Sequence, residues 1–129
     1  MKTDKIAWSQ DAEVELLRAY DGNADFLRPV ELLVRAGLAA LYQVETEEGR
    51  IGFFVLREDS PEVEVIAAAG DCGGNFIAEI LPEIEQAARN AGAVGMKIST
   101  FRPGLMRWLE RAGYTGLHIT FWKRVANGV

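Results

Sequence analysis

The sequence has very little cysteine and histidine: Cys72 and His118 are the only representatives among 129 residues. A single cysteine excludes an intrachain disulfide, and one residue of each type cannot form the Cys/His spacing of the common zinc sites. A Ser-His-Asp hydrolase is disfavoured, because the sequence contains no Gly-x-Ser-x-Gly motif to go with His118. We therefore expect no metal, and a reduced, cytoplasmic setting is the simplest expectation.

Long apolar runs and an excess of positive charge are also missing. No stretch approaches the ~20 apolar residues of a membrane-spanning helix, so no membrane association is expected. Fourteen Lys and Arg stand against nineteen Asp and Glu, a formal charge of −5, which disfavours nucleic acid as a partner. The charge is uneven: the part before Lys97 carries −10, and the part from Lys97 onward carries +5.

What remains is the composition of one folded domain over residues 1–129. Apolar residues make up 49% of the chain and charged residues 26%, which are ordinary values for a globular protein. No internal repeat, low-complexity tract or long linker divides the chain, so one hydrophobic core is expected.

Two helices and then three strands are predicted in the first half. Ser9 and Asp11 are capping residues ahead of a first helix that ends at residues 21–22. The apolar stripe of this helix consists of Val14, Leu16, Leu17 and Tyr20. A second helix runs from Asp25 or Pro29 to Gly37. Residues 38–45 and 50–57 are joined by a short glycine-containing connection typical of a hairpin. Residues 62–67 alternate as a third antiparallel strand would, and a further short strand is considered at residues 5–8.

The second half alternates helices with strands. Asn75 can cap a long helix that reaches residues 90–92, in which Pro82 marks either a bend or a late start. A buried strand at 93–99, a helix opening at Arg102-Pro103 and a last strand over 114–124 follow. The predicted fold class is α/β (α+β): a mixed, mainly antiparallel sheet flanked by helices in the order αα-βββ-α-β-α-β.

A glycine-rich segment, Gly70 to Asn75, separates the third strand of the meander from the long helix. Ligands of such sheets tend to bind at strand ends near the start of a helix. Backbone N–H groups that converge at a helix N-terminus make an anion site. This segment is therefore the predicted ligand-binding loop.

The order of elements, the glycine loop and the segment Trp108-Leu109-Glu110-Arg111-Ala112-Gly113-Tyr114 together resemble the GNAT superfamily of N-acyltransferases. The resemblance covers residues 11 to 124. It implies the acyl-CoA N-acyltransferase fold, acetyl-CoA or another acyl-CoA as co-substrate without a metal, and a small-molecule or peptide amine as acceptor. Asp21, Asp25 and Glu31, on the two leading helices, favour a cationic amine.

The resemblance also implies a set of cofactor-binding residues. In the family, the strand before the glycine loop pairs with the pantetheine arm, and the loop amides hold the pyrophosphate. Of the family pattern Arg/Gln-x-x-Gly-x-Gly/Ala, only Gly73 matches, since Gly70 stands at the Arg/Gln position. The residues that this assigns to cofactor binding are Ile66, Ala67, Ala68, Gly70, Asp71, Cys72, Gly73, Gly74 and Asn75.

Catalytic candidates come from the two strands that would flank the bound pantetheine arm, that is, from the sides of a pantetheine slot. Family members often draw a general base from the strand before the loop, where Glu62 and Glu64 share one face. Glu64 is the nearer to the slot, and a solvated strand face is the alternative for both. Ser99 either bonds the cofactor or leaving thiolate, or caps the turn that follows. The family's proton-donating tyrosine falls on Leu109, which has no proton to give.

Two functions from different classes fit these observations. The first is a GNAT-like N-acyltransferase that moves an acetyl or acyl group from acyl-CoA to an amine. The second is a catalytically inactive module of the same fold for binding or assembly, of a kind also found in phage genomes. A V-shaped gap between residues 62–67 and 93–99 would favour the enzyme, and a continuous ladder the module. An exposed C-terminal strand would also allow a homodimer.

Overall fold

A seven-stranded sheet forms the centre of the computed structural model, which describes residues 1–20, 22–70, 76–99, 107, 109–117 and 120–126. Across the sheet the strands lie in the order β1-β2-β3-β4-β5-β7-β6. All neighbours are antiparallel except β4 and β5. In chain order the elements are β1 (Lys2–Ile6), α1 (Gln10–Ala19), α2 (Ala24–Arg35), β2 (Ala39–Glu45), β3 (Ile51–Asp59), β4 (Glu62–Gly70), α3 (Phe76–Asn90), β5 (Gly95–Ser99), β6 (Thr115–Leu117) and β7 (Thr120–Arg124).

The sheet separates two hydrophobic clusters. The cluster beneath α1 and α2 contains Phe53 and Val55, and the cluster beneath α3 contains Phe54 and Leu56. These four consecutive residues of β3 alternate between the clusters, as side chains of a strand must. The predicted mixed, mainly antiparallel sheet flanked by helices is thereby confirmed, with α3 as the crossover between the two parallel strands.

Helix α1 begins at its predicted cap and packs on β4. The Ser9 hydroxyl accepts a hydrogen bond from the N–H of Ala12 at 3.2 Å, which satisfies one of the free donors of the first turn. Ala12 and Leu16 are completely buried on the side that faces the sheet. The helix ends at Tyr20, whose N–H lies 3.2 Å from the carbonyl oxygens of Leu16 and Leu17.

Both prolines in the helical patterns lie inside helices. Pro29 is in the middle of α2, which starts near the earlier of its two predicted positions, and α3 continues through Pro82. Ile80, Leu81 and Ile84 of α3 are buried beneath the sheet, and this packing maintains the helix across the missing N–H of the proline. Strand β1 lies earlier than the strand considered at residues 5–8 and pairs with β2.

The prediction of a single last strand over residues 114–124 is wrong. The region forms a hairpin in which β6 pairs with β7 and Leu117 lies opposite Thr120. Gly116 lies within β6, and between Leu117 and Thr120 the sequence has no Gly, Pro, Asn or Asp, so it carries no ordinary turn signal there. Residues 118 and 119 lie outside the described residues. Strand β7 is paired on both sides, by β5 and β6, and among the described strands β6 forms this edge of the sheet. A homodimer through an exposed edge in this region stays a prediction.

A polar network connects α3 with the end of the sheet. Glu85 is 8% exposed and accepts a 2.8 Å hydrogen bond from the Tyr114 hydroxyl, with Lys123 Nζ at 3.2 Å. Burial, together with the hydrogen bond to Glu85, raises the pKa of Tyr114, so the phenol remains a donor at neutral pH. Arg89 Nε donates to the Val125 carbonyl at 2.7 Å. The carboxylate thus joins the helix to the segment around β7.

The change Tyr114→Phe should lower the free energy of unfolding by about 1–3 kcal/mol, because it removes a buried hydrogen bond to a charged group. Urea denaturation measures the loss, with an unchanged m-value. The control Gln86→Ala, at an exposed position of the same helix, should stay within about 0.5 kcal/mol of the unmodified chain. Equal effects of the two changes would contradict a stabilising role for the network.

Candidate active site

Strand β4 contains a bulge at its centre. The antiparallel register pairs Val65 with Leu56 and Ala67 with Val55, which leaves Ile66 without an opposite residue on β3. An extra residue on one strand bends that strand and increases its local twist.

The bulge reverses the two faces of β4. Val63 and Val65 belong to the cluster beneath α3, whereas Ala67 and Ala69 belong to the cluster beneath α1 and α2. In an unbroken strand, all four of these side chains would share one face. Ile66 is therefore the point at which the strand changes its orientation.

The parallel ladder between β4 and β5 ends at the same point. It extends from Glu62 opposite Gly95 to Val65 opposite Ile98. Strand β4 continues to Gly70 and remains paired with β3 to that residue. Among the described residues, none pairs on the β5 side with residues 66–70, which are named here the open edge. As far as the chain is described, the ladder is continuous over residues 62–65 and ends at the carboxyl ends of the parallel strands.

A tyrosine lies against the open edge. The N–H of Ala68 donates to the hydroxyl oxygen of Tyr20 at 3.2 Å, and Tyr20 is partly buried at the end of α1. Since every second residue of a strand directs its N–H to the same side, the N–H of Gly70 faces the same way as that of Ala68. Sequence analysis assigned Tyr20 to the apolar stripe of the first helix and missed this contact.

Glu62 and Glu64 share one face of β4, as predicted. They alternate with Val63 and Val65, so they lie on the side that carries α1 and α2. Arg57 Nη2 donates to Glu64 at 2.5 Å, and Glu62 lies 3.9 Å from Lys97 Nζ. Both carboxylates precede the bulge, beside the closed part of the ladder.

Lys97 of β5 connects these carboxylates with Asp59, the last residue of β3. Its ammonium group donates to Asp59, and this hydrogen bond lowers the pKa of Asp59 and raises the pKa of Lys97. Exposed ion pairs of this kind contribute little to stability. These charged side chains are typical of a solvated strand face. The carboxylates of Glu62 and Glu64 could also bind a cationic molecule near the open edge.

The other predicted site residues fall into two groups. Ile66, Ala67, Ala68 and Gly70 lie together in the open edge. The second group lies outside the described residues and comprises Asp71, Cys72, Gly73, Gly74, Asn75 and, among the acceptor candidates, Asp21. The backbone of Ser99 follows the last residue of the ladder, Ile98, and nothing is described of its side chain.

The position of the family's proton donor lies in the hydrophobic core. Leu109 is completely buried in the cluster beneath α3. Its neighbours in that cluster include Met96 and Ile98 of β5. A proton donor for the site would therefore have to come from another element.

A cavity of about 800 Å³ lies at the other end of the sheet. Its lining includes Trp8, Tyr42 and Ala91, and from β4 it includes Val63. Val63 precedes the bulge and Ala91 follows the end of α3, whereas the open edge leads toward the start of α3. The cavity and the open edge are therefore different places.

Among the described residues, no three His, Cys, Asp or Glu side chains are grouped so that they could hold a metal ion. Within that part of the chain, no helix combines the length and the apolar character needed to cross a bilayer.

Neither a protein-family model nor a curated protein matches the sequence. Solved structures do match the fold. The aminoglycoside 6'-acetyltransferase type Ii superposes with a TM-score of 0.70 at 11% identity, over 100% of both chains. A Bacillus subtilis acetyltransferase in complex with CoA gives a TM-score of 0.68 at 16% identity, over 88% of this chain and 76% of that chain.

A GNAT family acetyltransferase from Elizabethkingia anophelis with acetyl-CoA bound gives a TM-score of 0.67 at 15% identity, over 88% of this chain and 75% of that chain. Identities this low establish a common fold and leave the activity to be argued from the site. The resemblance drawn from the element order, the glycine loop and residues 108–114 is confirmed at this level. The chain has the fold of the GNAT acetyltransferases, the acyl-CoA N-acyltransferase fold.

Proposed function

We propose that the chain is an acyl-CoA-dependent N-acyltransferase, which moves an acetyl or another acyl group to an amine. The open edge of β4 after Ile66 is the observation that carries this proposal. A strand edge binds an extended chain of amide groups by accepting it as one more strand. The pantetheine arm of CoA is such a chain, and it would enter between β4 and β5.

The start of α3 gives this arm a direction. The helix begins at Phe76, immediately after the glycine-rich segment 71–75. N–H groups at a helix N-terminus favour a phosphate, so the pyrophosphate would be held there by Asp71, Cys72, Gly73, Gly74 and Asn75. The arm would then run along β4 from Gly70 toward Ile66, and the thioester would arrive near the bulge.

The chemistry would be a direct attack of the amine on the thioester carbonyl carbon. The protein's contributions are the alignment of the two reactants, the removal of a proton from the ammonium form of the acceptor, and polarisation of the carbonyl by backbone N–H groups. Glu64 is the proposed general base. Its carboxylate lies two residues before the bulge and would act through a water molecule, with Glu62 as the second carboxylate and Ser99 at the opposite side of the opening.

The acceptor would be a cationic small molecule or a peptide amine. One protein with this fold is an aminoglycoside 6'-acetyltransferase. In this chain, the carboxylates of Glu62 and Glu64 lie on the side of α1 and α2, together with the exposed Asp25. Glu31 accepts a 2.7 Å hydrogen bond from Arg35, and Glu64 accepts one of 2.5 Å from Arg57, so a bound ammonium group would share each of these carboxylates with an arginine.

One observation favours the alternative, a catalytically inactive module for binding or assembly. Leu109 stands at the position of the family's proton donor and is completely buried. In that case, the open edge of β4 would accept a peptide strand from a protein partner instead of a pantetheine arm.

Acetyl-CoA should raise the melting temperature of the purified chain. At a ligand concentration 100 times Kd, the gain is about 2.7 kcal/mol, which corresponds to a shift on the order of 10 °C for a domain of this size. The change Gly73→Glu should abolish this shift, because it adds a negative side chain to the proposed pyrophosphate loop. Differential scanning fluorimetry measures both.

The matched control is Gln86→Glu, which adds the same charge at an exposed position in the second half of α3. This variant should retain the full shift. Absence of a shift at millimolar acetyl-CoA in the unmodified chain would reject the enzyme and support the module.

The change Glu64→Gln should lower kcat by about 100-fold or more, which is the usual contribution of a general base. The affinity for acetyl-CoA should not change. The assay follows release of the CoA thiol with an aminoglycoside as the acceptor probe. Glu58→Gln is the control, because Glu58 neighbours Arg57 on β3 and faces the other side of the sheet. An unchanged kcat in both variants would reject Glu64 as the general base and assign it to a solvated strand face.

A further inference from the structure

The cavity of about 800 Å³ occupies a corner of the sheet where strand pairing is incomplete. Strand β1 pairs with β2 only as far as Ile6, which lies opposite Leu41. Ala39 and Ala40 precede Leu41 on β2, and in the described part of the chain no residue pairs with them on the β1 side. The chain leaves the sheet after Ile6 on its way to α1, so a notch remains beside the two alanines.

The size and the lining of this cavity are those of a site for a small organic molecule. Small residues such as Gly37, Ala39 and Ala40 leave the space, and the aromatic rings of Trp8 and Tyr42 contribute to its walls. Binding sites for small molecules usually measure ~300–1,000 Å³ and combine apolar walls with a few polar groups. The polar groups therefore decide which chemical class fits.

Two hydrogen-bond donors of the lining lie side by side. Lys5 of β1 is directly opposite Tyr42 of β2, and both line the cavity. Side chains of such a cross-strand pair share one face of the sheet, with their β-carbons roughly 5 Å apart. The ammonium group and the phenol can therefore bind the same acceptor.

Neither donor is occupied by another residue that the structure describes. Lys5 forms no ion pair with those residues, and the Tyr42 hydroxyl forms no hydrogen bond with them. The Tyr42 ring is held by stacking on Phe54, with 4.9 Å between the ring centroids. Burial raises the pKa of Tyr42, so its hydroxyl keeps the proton that it can donate.

The other charged residues of the lining do not neutralise this pair of donors. Arg35 is itself a cation, and it donates to Glu31 at 2.7 Å. Glu58 lies on β3, four residues after the residue opposite Tyr42, which is roughly 13 Å along an extended strand. The cavity is therefore positive at the Lys5 end. Between the two ends, Ala40 and Leu56 lie opposite each other and provide apolar surface.

We infer that the cavity binds an organic monocarboxylate with an apolar body. The carboxylate would accept hydrogen bonds from the ammonium group of Lys5 and from the hydroxyl of Tyr42, and the charge of the acceptor strengthens both. The apolar body would lie over Ala40 and Leu56 and would cover Leu38, which lines the cavity and is 64% exposed. Removal of this apolar surface from water favours binding. The site is separate from the open edge, so the inference does not depend on the acyltransferase function.

Octanoate and hydrocinnamate are the probes, since each joins one carboxylate to an aliphatic or an aromatic body. Amide NMR spectra of the ¹⁵N-labelled chain follow their binding, and at least one probe should shift the signals of Ala39 and Ala40. Lys5→Gln and Tyr42→Phe should each raise the Kd by about 10-fold or more, because each removes a hydrogen bond to a charged group. The matched control is Lys2→Gln, on the same strand but outside the lining, and it should leave the Kd unchanged.

Three results would overturn the inference. If neither carboxylate gives a saturable shift of Ala39 and Ala40 at millimolar concentration, the cavity does not bind this class of molecule. Equal Kd values for the unmodified chain and Lys5→Gln would show that the apolar body adsorbs without recognition of the carboxylate. Equally tight binding of octylamine, which presents the opposite charge on the same apolar body, would show that the cavity does not select an anion.

Discussion

The site depends on one unmatched residue in the central sheet. Because Ile66 has no opposite residue on β3, the second half of β4 turns its other face to each cluster. Within the described part of the chain, the pairing of β4 with β5 ends at the same point. An unbroken β4 would satisfy its backbone along its whole length and leave no edge for an extended ligand. The bulge thus converts a central strand, normally the most closed part of a sheet, into a surface that can form hydrogen bonds.

The sequence predicts the strand but not the bulge. Alternation of Val and Glu indicates residues 62–65 correctly, including the shared face of the two carboxylates. The residues after Ile66 are three alanines and a glycine. Such small residues fit either face of a sheet, so the apolar pattern does not indicate that the two faces of the strand are reversed. The extra residue is fixed by pairing with β3 and by two hydrophobic clusters, which are non-local constraints. The hairpin of β6 and β7 was missed for a related reason, since its turn lacks the usual turn residues.

The family resemblance and the local sequence pattern identified different kinds of residue around the open edge. The resemblance assigned Ile66, Ala67, Ala68 and Gly70 to cofactor binding; the structure shows that they lie in the second half of β4, and their role in binding stays a prediction. Helical spacing assigned Tyr20 to the apolar stripe of α1, which describes its ring but not its hydroxyl. The contact of that hydroxyl with Ala68 joins residues 48 positions apart, and a local pattern cannot show it.

The central claim is that the open edge of β4 binds the pantetheine arm. Amide NMR spectra of the chain labelled with ¹⁵N, recorded during a titration with acetyl-CoA, test it directly. The account predicts that the amide signals of Ala68 and Gly70 shift and become protected from hydrogen exchange, while those of Val63 and Val65, inside the closed ladder, change much less. Saturating acetyl-CoA that leaves Ala68 and Gly70 unaffected, or that acts instead on residues around the cavity at Trp8 and Tyr42, would contradict it.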